Sequence, residues 1–118
     1  MGARGSARRA LAATSAALLL AAAGCGAAAA ADAELDAGRA KAQACAVCHG
    51  QAGLSTQPDA PHLAGQPAFY LAAQLRAYRS GARKHEVMAV IAKPLSDDDI
   101  GKLAAWFAAI KVEATLPK

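Results

Sequence analysis

The sequence predicts an all-α domain of three to four helices behind a secretory leader. Three observations carry this. Beyond the leader, apolar residues recur at three- and four-residue spacing, with no alternating strand pattern. Helix-starting and helix-stopping residues bracket those runs, and one Gly- and Pro-rich segment, residues 50–66, is a loop. A chain of 118 residues has room for one ordinary domain.

The leader occupies residues 1–31 and the domain residues 32–118. A basic start (Arg4, Arg8, Arg9), an apolar run around Leu18–Leu20 and then small residues make a secretory signal. A membrane-spanning anchor would need roughly 20 strongly apolar residues, whereas this run is mostly alanine interrupted by Thr14 and Ser15. Two cleavage sites compete. Small residues before Gly24-Cys25 resemble a lipoprotein box, which would make Cys25 a lipidated first residue, although Ala22 stands where a larger aliphatic is usual. An Ala-x-Ala site at residues 29–31 would instead release a soluble protein. Arg8-Arg9 match a twin-arginine signal poorly. Beyond residue 31 ten basic and nine acidic residues remain, a net charge of +1 against +4 for the whole chain, so the basic balance belongs mostly to the leader. Without a basic run or interleaved aromatics, nucleic-acid binding is not expected.

The first helix is expected from Ala33 to Cys48, with Asp32, Glu34 and Asp36 at the positive end of its dipole and Leu35, Gly38, Ala42 and Cys45 on its inner face. After the loop, Pro67 opens a helix with Leu71, Leu75 and Tyr78 on one face, which stops at Ser80-Gly81. A short helical segment, Glu86–Ala92, precedes Pro94. The last helix has Ser96 as N-cap and Asp99 three residues on, then an apolar stripe of Ile100, Leu103, Phe107 and Ile110, widened by Trp106. A domain of about 87 residues with five aromatics has a marginal side-chain core, which favours a cofactor in its middle.

The stretch CAVCHG, Cys45 to Gly50, names that cofactor. A thioredoxin-type disulfide has no use for a histidine fixed after the second cysteine, and a structural zinc site needs about four ligands, for which no second Cys or His pair exists. C-x-x-C-H is the attachment pattern of c-type haem: Cys45 and Cys48 add to the two vinyl groups and His49 is held under the iron. Export supports this, because covalent haem attachment in bacteria takes place outside the inner membrane. For the distal position, Met88 is the one methionine beyond Met1, about 40 residues after His49. A thioether opposite an imidazole suits an electron carrier. His62 and His85 are the competing ligands, and a buried Met is otherwise a flexible core filler.

Together, CAVCHG, APHLAGQ, YLAAQLRAYRSGAR and VMAVIAKPLSDDDIGKLAAWFAAI resemble a class I bacterial c-type cytochrome, a family with single-domain and tandem diheme members, from about Leu35 to Ile110. The resemblance implies the small cytochrome c fold, its helices wrapped around one covalent haem c. It implies that the Pro61 carbonyl accepts a hydrogen bond from the far nitrogen of His49. It also implies that the first and last helices cross, with Gly38 allowing close approach to Trp106 or Phe107. Two departures are Ala42, where many relatives place an aromatic, and HEVM in place of an acidic-proline lead-in to the methionine. One haem motif is present.

The expected function is single-electron transfer in the periplasm, with no catalytic base or nucleophile; Asp97–Asp99 read as a helix start. Partners would be redox donors and acceptors in brief, charge-steered contact, with Arg76, Arg79, Arg83, Lys84 and Lys93 as a positive rim. The rival readings are a dedicated subunit of a periplasmic dehydrogenase and a haem sensor or peroxidase-like protein with an open sixth site, for which the sequence offers no distal acid-base pair.

Overall fold

The computed structural model describes the backbone from Ala10 and side chains from Gly26; Arg4, Arg8, Arg9, the Leu18–Leu20 side chains and that of Cys25 lie outside the described residues. The chain divides into two compact units, Met1–Ala33 and Glu34–Lys118. What is described of the first is helical, the opening stretch of α1 (Ala10–Ala42). Among the described residues no helix is long and apolar enough to cross a membrane.

The second unit holds the last turns of α1, then α2 (Ala46–His49), α3 (Ala68–Ser80), α4 (Glu86–Ala92) and α5 (Asp97–Ala109). It is all-α, with no strand among the described residues. The helix expected from Ala33 to Cys48 starts earlier, at Ala10, so that Asp32, Glu34 and Asp36 lie inside α1 and not in its first turn, and it is broken before α2. Between α1 and α2 the amides of Ala44, Cys45 and Ala46 bond three residues back, to the carbonyls of Lys41, Ala42 and Gln43, at 3.0–3.4 Å. This tighter winding breaks the α-helical register. Neither Gly nor Pro marks the break, so nothing in the sequence announced it. α2 ends at Gly50, whose φ of 81° lies in the left-handed region and whose missing Cβ would stand 2.2 Å from the Leu54 carbonyl oxygen.

Pro67 caps α3 from just outside: its carbonyl accepts from the amides of Tyr70 and Leu71. At the other end Gly81 turns left-handed, with the Gly81 amide on the Tyr78 carbonyl and the Arg83 amide on that of Ala77, so that two of the last carbonyls find partners. α5 opens with a complete capping box, the Ser96 hydroxyl accepting from the Asp99 amide and the Asp99 carboxylate from the Ser96 amide, both at 3.0 Å. Truncating Ser96 to alanine is expected to cost about 1 kcal/mol.

Ala42, Leu71, Leu103, Ala104 and Phe107 form the core, with Leu63, Leu75, Leu95, Trp106 and Ile110 packed around it. It is small, which keeps the expectation of a cofactor reasonable. The last turns of α1 cross α5 closely at Gly38, against Lys102 and Trp106. Polar contacts fix the crossing: Lys41 pairs with Asp99, and the Arg39 guanidinium lies 5.8 Å from the centre of the Trp106 ring.

Those contacts have a pH consequence. Lys41, then the Ser96 amide and hydroxyl, hold the Asp99 carboxyl well below the usual carboxylate range. A carboxylate with a folded pKa below its unfolded value of about 3.9 stabilises the fold above that value and loses the contribution as pH falls through the folded one. Stability is therefore expected to drop on acidification below about pH 4, and Asp99→Asn to flatten that acid limb, as read from denaturant midpoints over roughly pH 2 to 6.

Candidate functional site

The candidate site residues lie on α2, the loop behind it, and α4. Cys45 stands just ahead of α2 and Cys48 inside it, so one helical turn separates them; both are half-buried and neither is in a disulfide. Burial pushes the Cys45 thiol up, which keeps it protonated near neutral pH. His49, the last residue of α2, is 8% exposed and is the buried polar side chain among the described residues. Its Nδ1 lies 2.8 Å from the Pro61 carbonyl oxygen. A proline carbonyl only accepts, so Nδ1 carries the proton and the Nε2 lone pair is left for a metal.

The loop is tied to α2 at two further points. Ser55 Oγ donates to the Cys48 carbonyl at 2.8 Å, and Gln57 Nε2 to the Val47 carbonyl at 3.1 Å. These are carbonyls of a helix end, which lack partners inside the helix. Sequence reading missed Ser55 and Gln57, because a Ser and a Gln in a Gly- and Pro-rich loop show no periodicity that would point at a helix end.

Met88 lies in the first turn of α4, half-buried, between the exposed Val87 and the exposed pair Val90 and Ile91. His85 caps this helix, its Nδ1 accepting from the Met88 amide at 3.3 Å, while its ring meets Tyr78 edge-on at 6.3 Å between centres. His62 uses Nδ1 to accept from the Ser55 amide at 2.8 Å. Among the described residues no hydrogen bond joins α4 to residues 45–49, and no group of three or more His, Cys, Asp or Glu could hold a metal ion.

The basic residues expected to form one rim divide. Arg79 donates to the Leu95 carbonyl at 2.8 Å and to Asp97 at 2.7 Å, and Arg76 reaches the same carboxylate at 3.4 Å. The two guanidiniums, Arg79 first, hold the Asp97 carboxyl below its ordinary range. Arg83 bonds Gln74 at 2.6 Å and lies over the Tyr78 ring at 4.6 Å. Lys84 and Lys93 are exposed. Arg79 therefore clamps the α4–α5 joint to α3. Arg79→Ala is expected to lower stability by about 1–2 kcal/mol through the Leu95 carbonyl, and Arg76→Ala by much less, since its bond is long and solvent-exposed. Denaturant unfolding of both variants checks the order.

The donor set fits a c-type haem: two uncrosslinked thiols one turn apart, a buried imidazole with its far nitrogen pinned, and a thioether on a short helix flanked by apolar side chains. The all-α fold and the C-x-x-C-H motif fit a small c-type haem domain. The cytochrome c family profile matches residues 35–111. The chain belongs to the cytochrome c family. It is 43% identical over 74 residues to the thiosulfate dehydrogenase electron acceptor of Stutzerimonas stutzeri, covering 60% of this chain and 34% of that one. It is 42% identical over 74 residues to cytochrome c-554(548) of Halomonas halodenitrificans, covering 60% of this chain and 89% of that one. Cytochrome c4 of Pseudomonas aeruginosa is 42% identical over 76 residues, covering 64% of this chain and 38% of that one. The chain thus spans little more than a third of the first and third of these relatives. Among solved structures, reduced cytochrome c4 from Pseudomonas stutzeri matches with a TM-score of 0.61 and 38% identity, over 64% of this chain and 45% of that one.

Proposed function

We propose that this chain is a periplasmic single-electron carrier holding one haem c. Cys45 and Cys48 form the thioether bonds, His49 Nε2 binds one face of the iron and Met88 Sδ the other. Bound there, the haem supplies an iron that cycles between ferric and ferrous states. The protein's part is to keep that change small. The Pro61 carbonyl on His49 Nδ1 fixes the ring's rotation and tautomer, and this contact is the observation that carries the reading. A disulfide site would give a buried histidine directly after the Cys pair no such role, and among the described residues no group of three or more His, Cys, Asp or Glu is placed to hold a zinc ion. His62 and His85 each commit Nδ1 to a backbone amide, which leaves Met88 the better distal ligand. Val87, Val90 and Ile91 beside Met88 are apolar surface suited to a porphyrin edge.

The test is an absorption spectrum of the purified protein, oxidised and reduced, with and without carbon monoxide. A reduced c-type spectrum indifferent to the gas, with a far-red iron–sulfur charge-transfer band when oxidised, supports the carrier; ready carbon monoxide binding without that band points to an open iron and a sensing or catalytic role.

A second reading is favoured by one observation, the 43% identity to a protein named as the electron acceptor of thiosulfate dehydrogenase. In it the chain serves one periplasmic dehydrogenase as a dedicated acceptor. Partners in either case are redox proteins, in transient contact for the free carrier and in tight co-purification for the dedicated acceptor, and anchoring through a lipidated Cys25 is settled by the mass of the mature protein.

A further inference from the structure

The loop behind the haem motif contains a polar chain that electron transfer as described above does not use. Ser55 is its hub. Its hydroxyl donates to the Cys48 carbonyl and accepts from the Gln57 amide at 3.0 Å, while its own amide donates to His62 Nδ1 at 2.8 Å. The base of the loop closes separately, where the Leu63 and Ala64 amides share the Gly53 carbonyl at 2.8 and 3.1 Å. Pro61, immediately before His62, has no N–H with which to anchor itself. Its carbonyl, which faces His49, is held in place only through its neighbours.

The geometry points to His62 as a positioning residue for His49: by accepting the Ser55 amide, it latches the loop to α2 and holds the Pro61 carbonyl on His49 Nδ1. The inference rests on the reading that His49 binds the iron. The latch needs Nδ1 of His62 unprotonated, with its ring proton on Nε2. It has an electronic consequence. A hydrogen bond from His49 Nδ1 to a carbonyl makes the imidazole a stronger donor and so favours ferric iron. Opening the latch weakens that bond and shifts the couple toward ferrous, raising the potential. His62 is exposed, so replacing it disturbs no core packing.

The experiment compares ¹⁵N-labelled holoprotein with His62→Leu, which removes the acceptor, and His62→Asn, whose Oδ1 can accept from the same amide. Two rates are read, hydrogen exchange of the Ser55 amide and of the His49 ring N–H, together with the midpoint potential. The expected result is that His62→Leu speeds both exchanges about tenfold and moves the one-electron equilibrium about three- to tenfold toward the reduced form, or about 30 to 60 mV upward. His62→Asn is expected to restore both to near wild-type values. Unchanged exchange in His62→Leu overturns the proposal, and so does a faster Ser55 amide beside an unchanged His49 ring proton. An Asn variant that behaves like the Leu variant also overturns it, since shape and not the acceptor would then matter. Absorption spectra of the same samples report separately on haem attachment. Their failure removes the His49 reading, while the Ser55 rate still judges the latch.

Discussion

Met88→Ala is expected to open the iron. The reduced variant binds carbon monoxide, the oxidised variant lacks the far-red iron–sulfur band, and the midpoint potential falls by on the order of a few tenths of a volt. The sign follows from ligand chemistry: a soft thioether stabilises ferrous iron, whereas water or hydroxide in its place stabilises ferric iron. The change should remain local. α4 is capped through the Met88 backbone amide, which alanine retains, and the joint beyond α4 is clamped by Arg79 to the Leu95 carbonyl. Far-ultraviolet circular dichroism should therefore match the parent while the haem spectrum differs. A variant whose spectrum and potential match the parent would mean that His62 or His85 is the distal ligand, and His85→Ala and His62→Ala would then show which.

Gly38→Ala is expected to lower stability by about 3 kcal/mol, and Gly101→Ala to leave it unchanged or raise it by up to about 1 kcal/mol. Both glycines lie inside helices, Gly38 in α1 and Gly101 in α5. A Cβ at Gly38 would stand 2.3 Å from the Lys102 carbonyl oxygen and 2.9 Å from Trp106 Cβ, so the α1–α5 crossing would have to open. Backbone cannot yield as a flexible side-chain tip can. The same atom at Gly101 meets nothing within 4 Å and removes only the glycine's excess freedom in the unfolded chain. In a domain of this size the loss at Gly38 corresponds to a melting temperature lower by roughly 12 to 24 °C. Thermal unfolding of the holoproteins decides the matter; equal effects at the two positions would show that the crossing tolerates a methyl group.

Much of the architecture could be read along the chain. Where a local signal of known chemistry exists, it locates its element: Ser96 with Asp99 for the start of α5, Gly81 for the end of α3, Pro67 for its beginning. The boundaries read wrongly, the start of α1 and the break between α1 and α2, lack such a signal. Three tightened hydrogen bonds made by Ala44, Cys45 and Ala46 produce the break, and residues of that kind continue a helix elsewhere in the same chain. In the site, C-x-x-C-H was legible because covalent attachment demands a fixed spacing. Ser55 and Gln57 were not, since their roles depend on a loop folding back over seven to ten residues onto the carbonyls of α2. The basic residues of the expected rim divide for a similar reason. Arg76 and Arg79 look like free charges in sequence, but Asp97 from a later helix reaches both.

By itself the sequence determined the helical class, the start of α5, the end of α3 and the attachment motif, each of which depends on residues within a few positions of one another. Tertiary structure alone decided which charges are spent inside the domain, where Asp97 of α5 meets Arg76 and Arg79 of α3, and how Ser55 and His62 close the loop behind His49. Each of these depends on a distance between segments far apart in the chain. Local spacing carries no information about such a distance until the helices have packed.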